Sequence, residues 1–253
     1  MGDQYTSDLV EKRSFPHEPT PVLIFGQNGR VAKILAQSIE ANSTLELIAC
    51  VPARGQSVEQ IVKSIECTPP NTVILDFTHR ASLSRLIEAS HQVPRKLITG
   101  TSDLTDEEET GLRLLAARRT IMLGRNFSPG AVIARQLIEF FQEIAPSTSS
   151  WDAAIIDFHH KLKVDVPSAT ARDWGLAWNS TDSSTTVPIS SIRVGNGISE
   201  HVLVAASVGE RIEITHRLMS FEATITGVLA AVHFVSQKAT GFYSPIDIVK
   251  PDG

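Results

Sequence analysis

Short, unbroken apolar runs separated by longer amphipathic stretches fill the first half of the chain, and this alternation constrains the fold more than any other feature. Pro21–Phe25 (PVLIF), Leu45–Val51 (LELIACV), Thr72–Phe77, Lys96–Thr99 and Thr120–Leu123 read as strands. Val31–Ala41, Val58–Ile65, Ala81–Ser90 and Thr105–Ala117 carry helical patterns between them. Strands that are apolar throughout need cover on both faces, and crossover helices between parallel strands supply it. The pattern predicts an α/β fold with a doubly wound parallel sheet. Ligands of such a sheet sit where strands end and helices begin.

After Gly130 the pattern changes. A helix over Ala131–Ile144 and a strand over Ala153–His159 precede a short helix starting near Ser168. Ser190–Val194, His201–Val208 and Arg211–His216 have period-two character, with VGNG and SVGE as turns between them. These predict a C-terminal α+β domain with a mixed, largely antiparallel sheet. Phe221–Ser236 reads as a long helix and Gly241–Val249 as a return to the first domain. The expected division is a flexible extension over 1–20, a dinucleotide-binding domain over 21–129 rejoined by 241–253, and a substrate-binding and oligomerisation domain over 130–240. The Ser/Thr-rich stretch Asn179–Thr186 reads as a loop.

A chain of 253 residues, 42% hydrophobic and 20% charged, can bury cores for two such domains. The net charge of −5 and the lack of a basic run argue against a nucleic-acid partner. No stretch reaches the roughly 18 apolar residues that span a bilayer, and the polar N-terminus has no signal-peptide core. Cys50 and Cys67 lack metal or redox spacing and read as reduced thiols. A cytoplasmic protein is expected.

Gly26-Gln27-Asn28-Gly29-Arg30-Val31 follows the first strand and opens the first helix. Glycines there permit a tight turn and close approach of a phosphate, and the helix start offers free N–H groups. The spacing GxxG is looser than the full three-glycine fingerprint, and any strand-to-helix turn can hold two glycines. The second strand ends without an acid but is followed by Arg54. A guanidinium there suits a 2′-phosphate, so NADPH is expected in preference to NADH; a solvated loop arginine is the other reading. Phe77-Thr78, Gly100-Thr101-Ser102 and Arg125-Asn126-Phe127-Ser128 stand at three further strand ends, where either cofactor contact or turn chemistry places such residues.

The densest chemical signal is DFHHKLKVDVPSATA over residues 157–171. Adjacent histidines can ligate zinc, but no third ligand stands at helpful spacing, and no metal is expected. Hydride delivery to a C=N carbon leaves a nitrogen that needs a proton, which His159 or Lys163 could supply. If the stretch is extended, residues 159, 161 and 163 share a face. Ser168 suits an N-cap, and the amides of Ala169 and Thr170 then fall in a first turn open to a carboxylate. A solvated charged loop is the plain alternative.

This segment resembles the signature of the dihydrodipicolinate reductase family, approximately E-x-H-H-x-x-K-x-D-x-P-S-G-T-A. GQNGRV, LDFT, GTS, NFSPG, GERIEITHR and GFYSPIDIV extend the similarity over about residues 21–249. The resemblance implies a tetramer whose N-terminal Rossmann-like domain binds NADH or NADPH and whose second domain binds a cyclic imine carboxylate. It implies proton donation by His159 and Lys163, and substrate contact by His160, Ser168, Ala169 and Thr170. It also assigns Gly26–Val31, Gly100–Ser102 and Arg125–Ser128 to the cofactor.

Four positions depart from the family pattern. Asp157 replaces Glu, Ala169 replaces Gly, and the loop GTTG reads Gly100-Thr101-Ser102-Asp103. Ser220-Phe221 stands where an S-R pair is usual, removing an arginine that would suit a dicarboxylate. Three readings therefore stay open: the lysine-pathway reductase, a relative acting on another cyclic imine, and a non-catalytic subunit.

Overall fold

The computed structural model describes residues 18–145, 150–179, 186–196 and 199–250. Most of the expected N-terminal extension, the interior of the Ser/Thr-rich loop and Gly197 of the VGNG turn lie outside these residues. In chain order the elements are β1 (Thr20–Phe25), α1 (Arg30–Glu40), β2 (Leu45–Val51), α2 (Val58–Glu66), β3 (Val73–Asp76) and α3 (Arg80–Gln92). Then come β4 (Lys96–Thr99), α4 (Asp106–Ala116), β5 (Thr120–Leu123), α5 (Pro129–Ile144), β6 (Asp152–His159) and α6 (Ala169–Trp178). β7 (Ile189–Arg193), β8 (Glu200–Ser207), β9 (Glu210–Arg217), α7 (Glu222–Gln237), β10 (Gly241–Tyr243) and α8 (Ile246–Val249) complete the chain.

The first sheet has the order β10-β5-β4-β3-β1-β2, with every pair parallel. Successive residues of β1 point to opposite faces. Leu23 and Phe25 join the core under α2, α3 and α4, while Val22 and Ile24 join the core on the other face. Both cores exclude water, which explains why these strands are apolar without alternation. The chain leaves β1 for β2 on one side and returns past it to β3 on the other. That reversal opens a crevice at the carboxyl ends of β1 and β3.

Residues 222–237, counted with the second domain by sequence, instead cover the first sheet. Val228, Ala231, Val232 and Val235 of α7 pack with Val22, Ile24, Val73 and Ile98. Helix α1 reaches only part of that face, so the apolar surface of the remaining strands requires a second helix. Gly227 makes the close approach possible, because a Cβ there would overlap the Phe127 carbonyl. The tail follows: β10 pairs with β5 in parallel at the edge of the first sheet.

The second sheet has the order β7-β6-β8-β9 and is mixed. β6 pairs with β7 in parallel, and β6–β8 and β8–β9 are antiparallel. One face packs against α5 and α6, where Ala134, Ile138 and Trp174 meet Ile155, Leu203 and Ala205. The opposite face carries Ile156, Ile192, Val202 and Val204, and Ile156 and Ile192 remain exposed. No helix among the described residues is long and apolar enough to cross a membrane.

Candidate active site

The turn after β1 is built on Gly26, whose φ of +103° favours a residue without a Cβ. Its N–H and that of Gln27 both donate to the Val51 carbonyl, at 2.8 and 3.1 Å, fastening the turn to the end of β2. A side chain at Gly26 would strike Thr78. The crevice beyond this turn has a volume of about 500 Å³ and is lined by Gly26, Asn28, Gly29, Arg54, Phe77 and Thr78, with His79 at its edge. Six of the residues expected at the cofactor thus converge, joined by His79, which the sequence reading did not name. A helix start with unbonded N–H groups and a guanidinium in the same crevice fit a phosphate-bearing dinucleotide.

Not all of the expected residues line this crevice. Val31 packs toward the core, and Arg30 lays its guanidinium 5.2 Å from the centre of the Phe221 ring. Phe127, expected to line the cofactor, is a core residue. It is 3% exposed, packs edge-on to Phe77, and anchors the segment where the chain leaves the first sheet. The aromatic ring follows the cost of leaving a large apolar group in water, not the polar run around it.

Asp76, at the end of β3, organises the loops beside this crevice. Its buried carboxylate accepts from the hydroxyls of Thr78 (2.5 Å), Thr99 (2.7 Å) and Thr101 (2.7 Å). Burial pushes this carboxyl up, against the lowering effect of those bonds. One residue therefore ties the loops after β3 and β4 together, and Thr101 is held with its hydroxyl turned inward.

A second carboxylate organises the opposite side. Asp157 on β6 is fully buried. Its Oδ2 accepts from the Ser168 amide (2.8 Å), the Ser191 hydroxyl (2.9 Å) and Arg193 Nη2 (2.8 Å). His159 Nδ1 lies 2.8 Å and His201 Nε2 3.5 Å from Oδ1. Burial opposes ionisation, but the donors from His159, His201, Arg193 and Ser168 prevail and hold the carboxyl far below the usual range. The imidazoles of His159 and His201 stand edge-on at 5.1 Å, and His216 stacks beyond His201 at 6.3 Å. Burial pushes both His201 and His216 toward the neutral form.

Ligand-capable atoms of Asp157, His159 and His201 lie within 4.8 Å of one another, a spacing a metal ion could use. Arg193 on the same carboxylate opposes a second cation there. His160, weighed in the sequence for zinc, does not belong to this group.

Lys163 does not reach His159 by strand alternation. β6 ends at His159, and the Lys163 amide donates back to the His160 carbonyl at 3.1 Å in a turn. The side chain pairs with Asp165 at 2.8 Å. Its charge still helps lower the proton affinity of His201, so it stands within electrostatic reach of the imidazole cluster.

Helix α6 begins as expected. Ser168 is extended, and its hydroxyl accepts from the Ala171 amide at 3.2 Å. The amides of Ala169 and Thr170 precede it in the first turn, where no helical carbonyl can meet them. The same Ser168 hydroxyl lies 3.1 Å from His201 Nε2, joining the anion cradle to the imidazoles.

The two sides meet at this cradle. Asn126 Nδ2 donates to the Thr170 hydroxyl at 3.0 Å, and the Ser128 hydroxyl lies 3.4 Å from His216 Nε2. A cavity of about 190 Å³ is bordered by Thr101, Ser102 and Arg125 from one side and Ala169 and Arg172 from the other. His201, His216, Arg193 and Arg172 were all missed as site residues. The available signal was a titratable residue at an inward position: His201 alternates with buried Leu203 and Ala205.

A crevice at the strand-to-helix turns of a parallel sheet, an open helix start on α6 and a buried imidazole cluster fit one class: a nicotinamide-dependent oxidoreductase. Models of the dihydrodipicolinate reductase N-terminus and C-terminus match residues 20–127 and 130–249. The chain belongs to the dihydrodipicolinate reductase family. It is 29% identical over 239 residues to the 4-hydroxy-tetrahydrodipicolinate reductase of Xanthomonas campestris pv. campestris strain B100, covering 91% of this chain and 98% of that protein. The enzyme of the same name from Burkholderia lata is 27% identical over 262 residues, covering 90% and 98%. A dipicolinate-bound dihydrodipicolinate reductase from Paenisporosarcina sp. TG-14 shares the fold, with a TM-score of 0.73 and 19% identity over 89% of this chain and 97% of that one.

Proposed function

We propose that the chain reduces 4-hydroxy-tetrahydrodipicolinate to tetrahydrodipicolinate on the route to diaminopimelate and lysine, with NADPH preferred over NADH. The observation that carries this reading is the cavity shared by the Thr101–Ser102 loop, Arg125 and Ala169, whose neighbour Ser168 bonds both Asp157 and His201. When bound, the reduced nicotinamide would supply hydride to the ring carbon that loses the 4-hydroxyl as water, and the ring C=N is retained in the product. The Gly26–Gly29 turn holds the pyrophosphate, and Arg54 takes the 2′-phosphate. Thr78, Gly100–Ser102, Arg125, Asn126 and Ser128 border the rest of the cofactor.

The amides of Ala169 and Thr170 hold one ring carboxylate, and His160 contacts the ring. His159 and Lys163 polarise the ring C=N and supply the proton that leaves with the hydroxyl as water, with Asp157 positioning the His159 imidazole. The alanine methyl at residue 169 leaves the amide in place, because its helical backbone needs no glycine. The uncovered apolar face of the second sheet supports a homotetramer built through Ile156, Ile192, Val202 and Val204. Two free thiols, Cys50 and Cys67, fit a reducing cytoplasm.

The test is turnover of enzymatically generated 4-hydroxy-tetrahydrodipicolinate, followed by nicotinamide absorbance. His159→Ala and Lys163→Ala should each lower kcat by roughly 10²–10⁴-fold. Arg54→Ala should shift the kcat/KM ratio toward NADH. Cofactor binding without turnover would reject the substrate, and an unchanged coenzyme ratio would remove Arg54.

A further inference from the structure

Asp103 and Arg172 form an ion pair of 2.6 Å across the mouth of the shared cavity, from the loop after β4 to the first turn of α6. Asp103 has a φ of +57°, the only positive φ outside glycine among the described residues. It occupies the fourth position of the loop, where the resemblance predicts glycine. Such backbone is uncommon for a residue with a side chain, although aspartate tolerates it better than most.

We propose that Arg172 is the specificity-determining residue that receives the second anionic group of the substrate ring, with Asp103 as its resting counter-ion. This rests on the function proposed above and names the feature of the ring that the site selects.

Three observations carry the assignment. Arg172 stands three residues beyond Ala169 on α6, on the same side of the helix, and both line the same cavity. A ring with one carboxylate on the Ala169 and Thr170 amides therefore brings a second one toward the guanidinium. The guanidinium is also held from behind. Nη1 donates to the Pro167 carbonyl at 2.5 Å, while Nη2 meets Asp103. Exchange of one carboxylate for another at Nη2 leaves the side chain oriented, and little rotamer freedom is lost on binding.

The pair is also exchangeable. The Asp103 and Arg172 side chains are 56% and 38% exposed, and ion pairs so open to water contribute little to stability. A cation is needed here because Phe221 occupies the position where the family pattern carries arginine, with its ring taken up by Arg30.

The probes are pyridine-2,6-dicarboxylate and pyridine-2-carboxylate, titrated calorimetrically into the full chain with NADPH present. The wild-type chain should bind the diacid at least roughly tenfold more tightly than the monoacid. Arg172→Gln should weaken the diacid by roughly 10–100-fold, the value of a charge-assisted hydrogen bond, and leave the monoacid within about twofold. Asp103→Asn, which suits the same backbone, should leave diacid binding unchanged or tighten it by about two- to fivefold as competition for Nη2 falls.

Equal weakening of both acids by Arg172→Gln, or of neither, overturns the assignment. So does loss of diacid binding in Asp103→Asn, which would make the pair a structural strut. A wild-type chain that prefers neither acid also overturns it. The ligand ranking can persist in a chain that fails to turn over 4-hydroxy-tetrahydrodipicolinate, and turnover can persist where the ranking fails, so the two proposals fall separately.

Discussion

Replacing Asp157 by asparagine probes the centre of the candidate site. The carboxylate is fully buried and is the counter-ion of Arg193, whose side chain is 14% exposed. An asparagine oxygen placed at Oδ2 can still accept from Ser168, Ser191 and Arg193, at the 2.8–2.9 Å positions now occupied. Its NH₂ group would face His159 Nδ1 and His201 Nε2. Packing and most hydrogen bonds therefore survive, and the principal loss is the charge opposite Arg193.

Removing one partner of a buried ion pair costs about 3–5 kcal/mol. At roughly 2–4 °C per kcal/mol for a chain of this size, Tm should fall by roughly 6–20 °C. Urea unfolding followed by near-ultraviolet circular dichroism measures the free energy directly. Adding Arg193→Gln to Asp157→Asn should recover part of the loss, because the uncompensated cation is removed with its partner. A single-variant loss below about 1 kcal/mol would refute the reasoning, as would a double variant whose losses simply add.

The pH dependence has a definite sign. The folded carboxyl of Asp157 is held below its unfolded value, so its contribution is present above the ordinary carboxylate range and is lost as pH falls through it. Wild-type stability should decline more steeply than that of Asp157→Asn below about pH 4.

His201 and His216 are held toward neutrality by burial, so their contributions are present above about pH 6.5 and fade as the medium becomes more acidic. Each can add up to about 1.4 kcal/mol per pH unit to that decline, and His201→Asn should flatten it; an unaltered slope would show that the ring is already protonated in the fold. Gly227→Ala forces a methyl against the Phe127 carbonyl and should destabilise by roughly 1–3 kcal/mol in chemical denaturation, whereas a neutral result would mean that α7 can shift away. Ile156→Asp on the open face of the second sheet should reduce the mass seen by light scattering to a smaller assembly with its circular dichroism intact. An unchanged mass would place the oligomer contact elsewhere.

Local pattern made much of the architecture legible before any coordinate. PVLIF, apolar at consecutive positions, required a strand buried on both faces, and the structure buries Leu23 and Ile24 against opposite layers; LELIACV, interrupted by Glu46, lies at the sheet edge and is only partly buried. Gly26 and Ser168 were readable because each acts within its own turn, through a φ that glycine accepts or a hydroxyl that reaches an amide three residues on. Lys163 shows the limit of that reading: alternation held only while the backbone stayed extended, and the turn at His160 ended it.

Periodicity and caps are properties of a few adjacent residues, so the chain itself determined which segments became strands, which became helices, and where a phosphate-sized turn and an anion-sized helix start would stand. Which of these came to face one another was a tertiary decision. Docking α7 on the parallel sheet, bringing His201 and Arg193 onto Asp157, and setting Arg172 opposite Asp103 all depend on sheet order and on apolar surface seeking cover. Neither condition is written within reach of any one residue's neighbours.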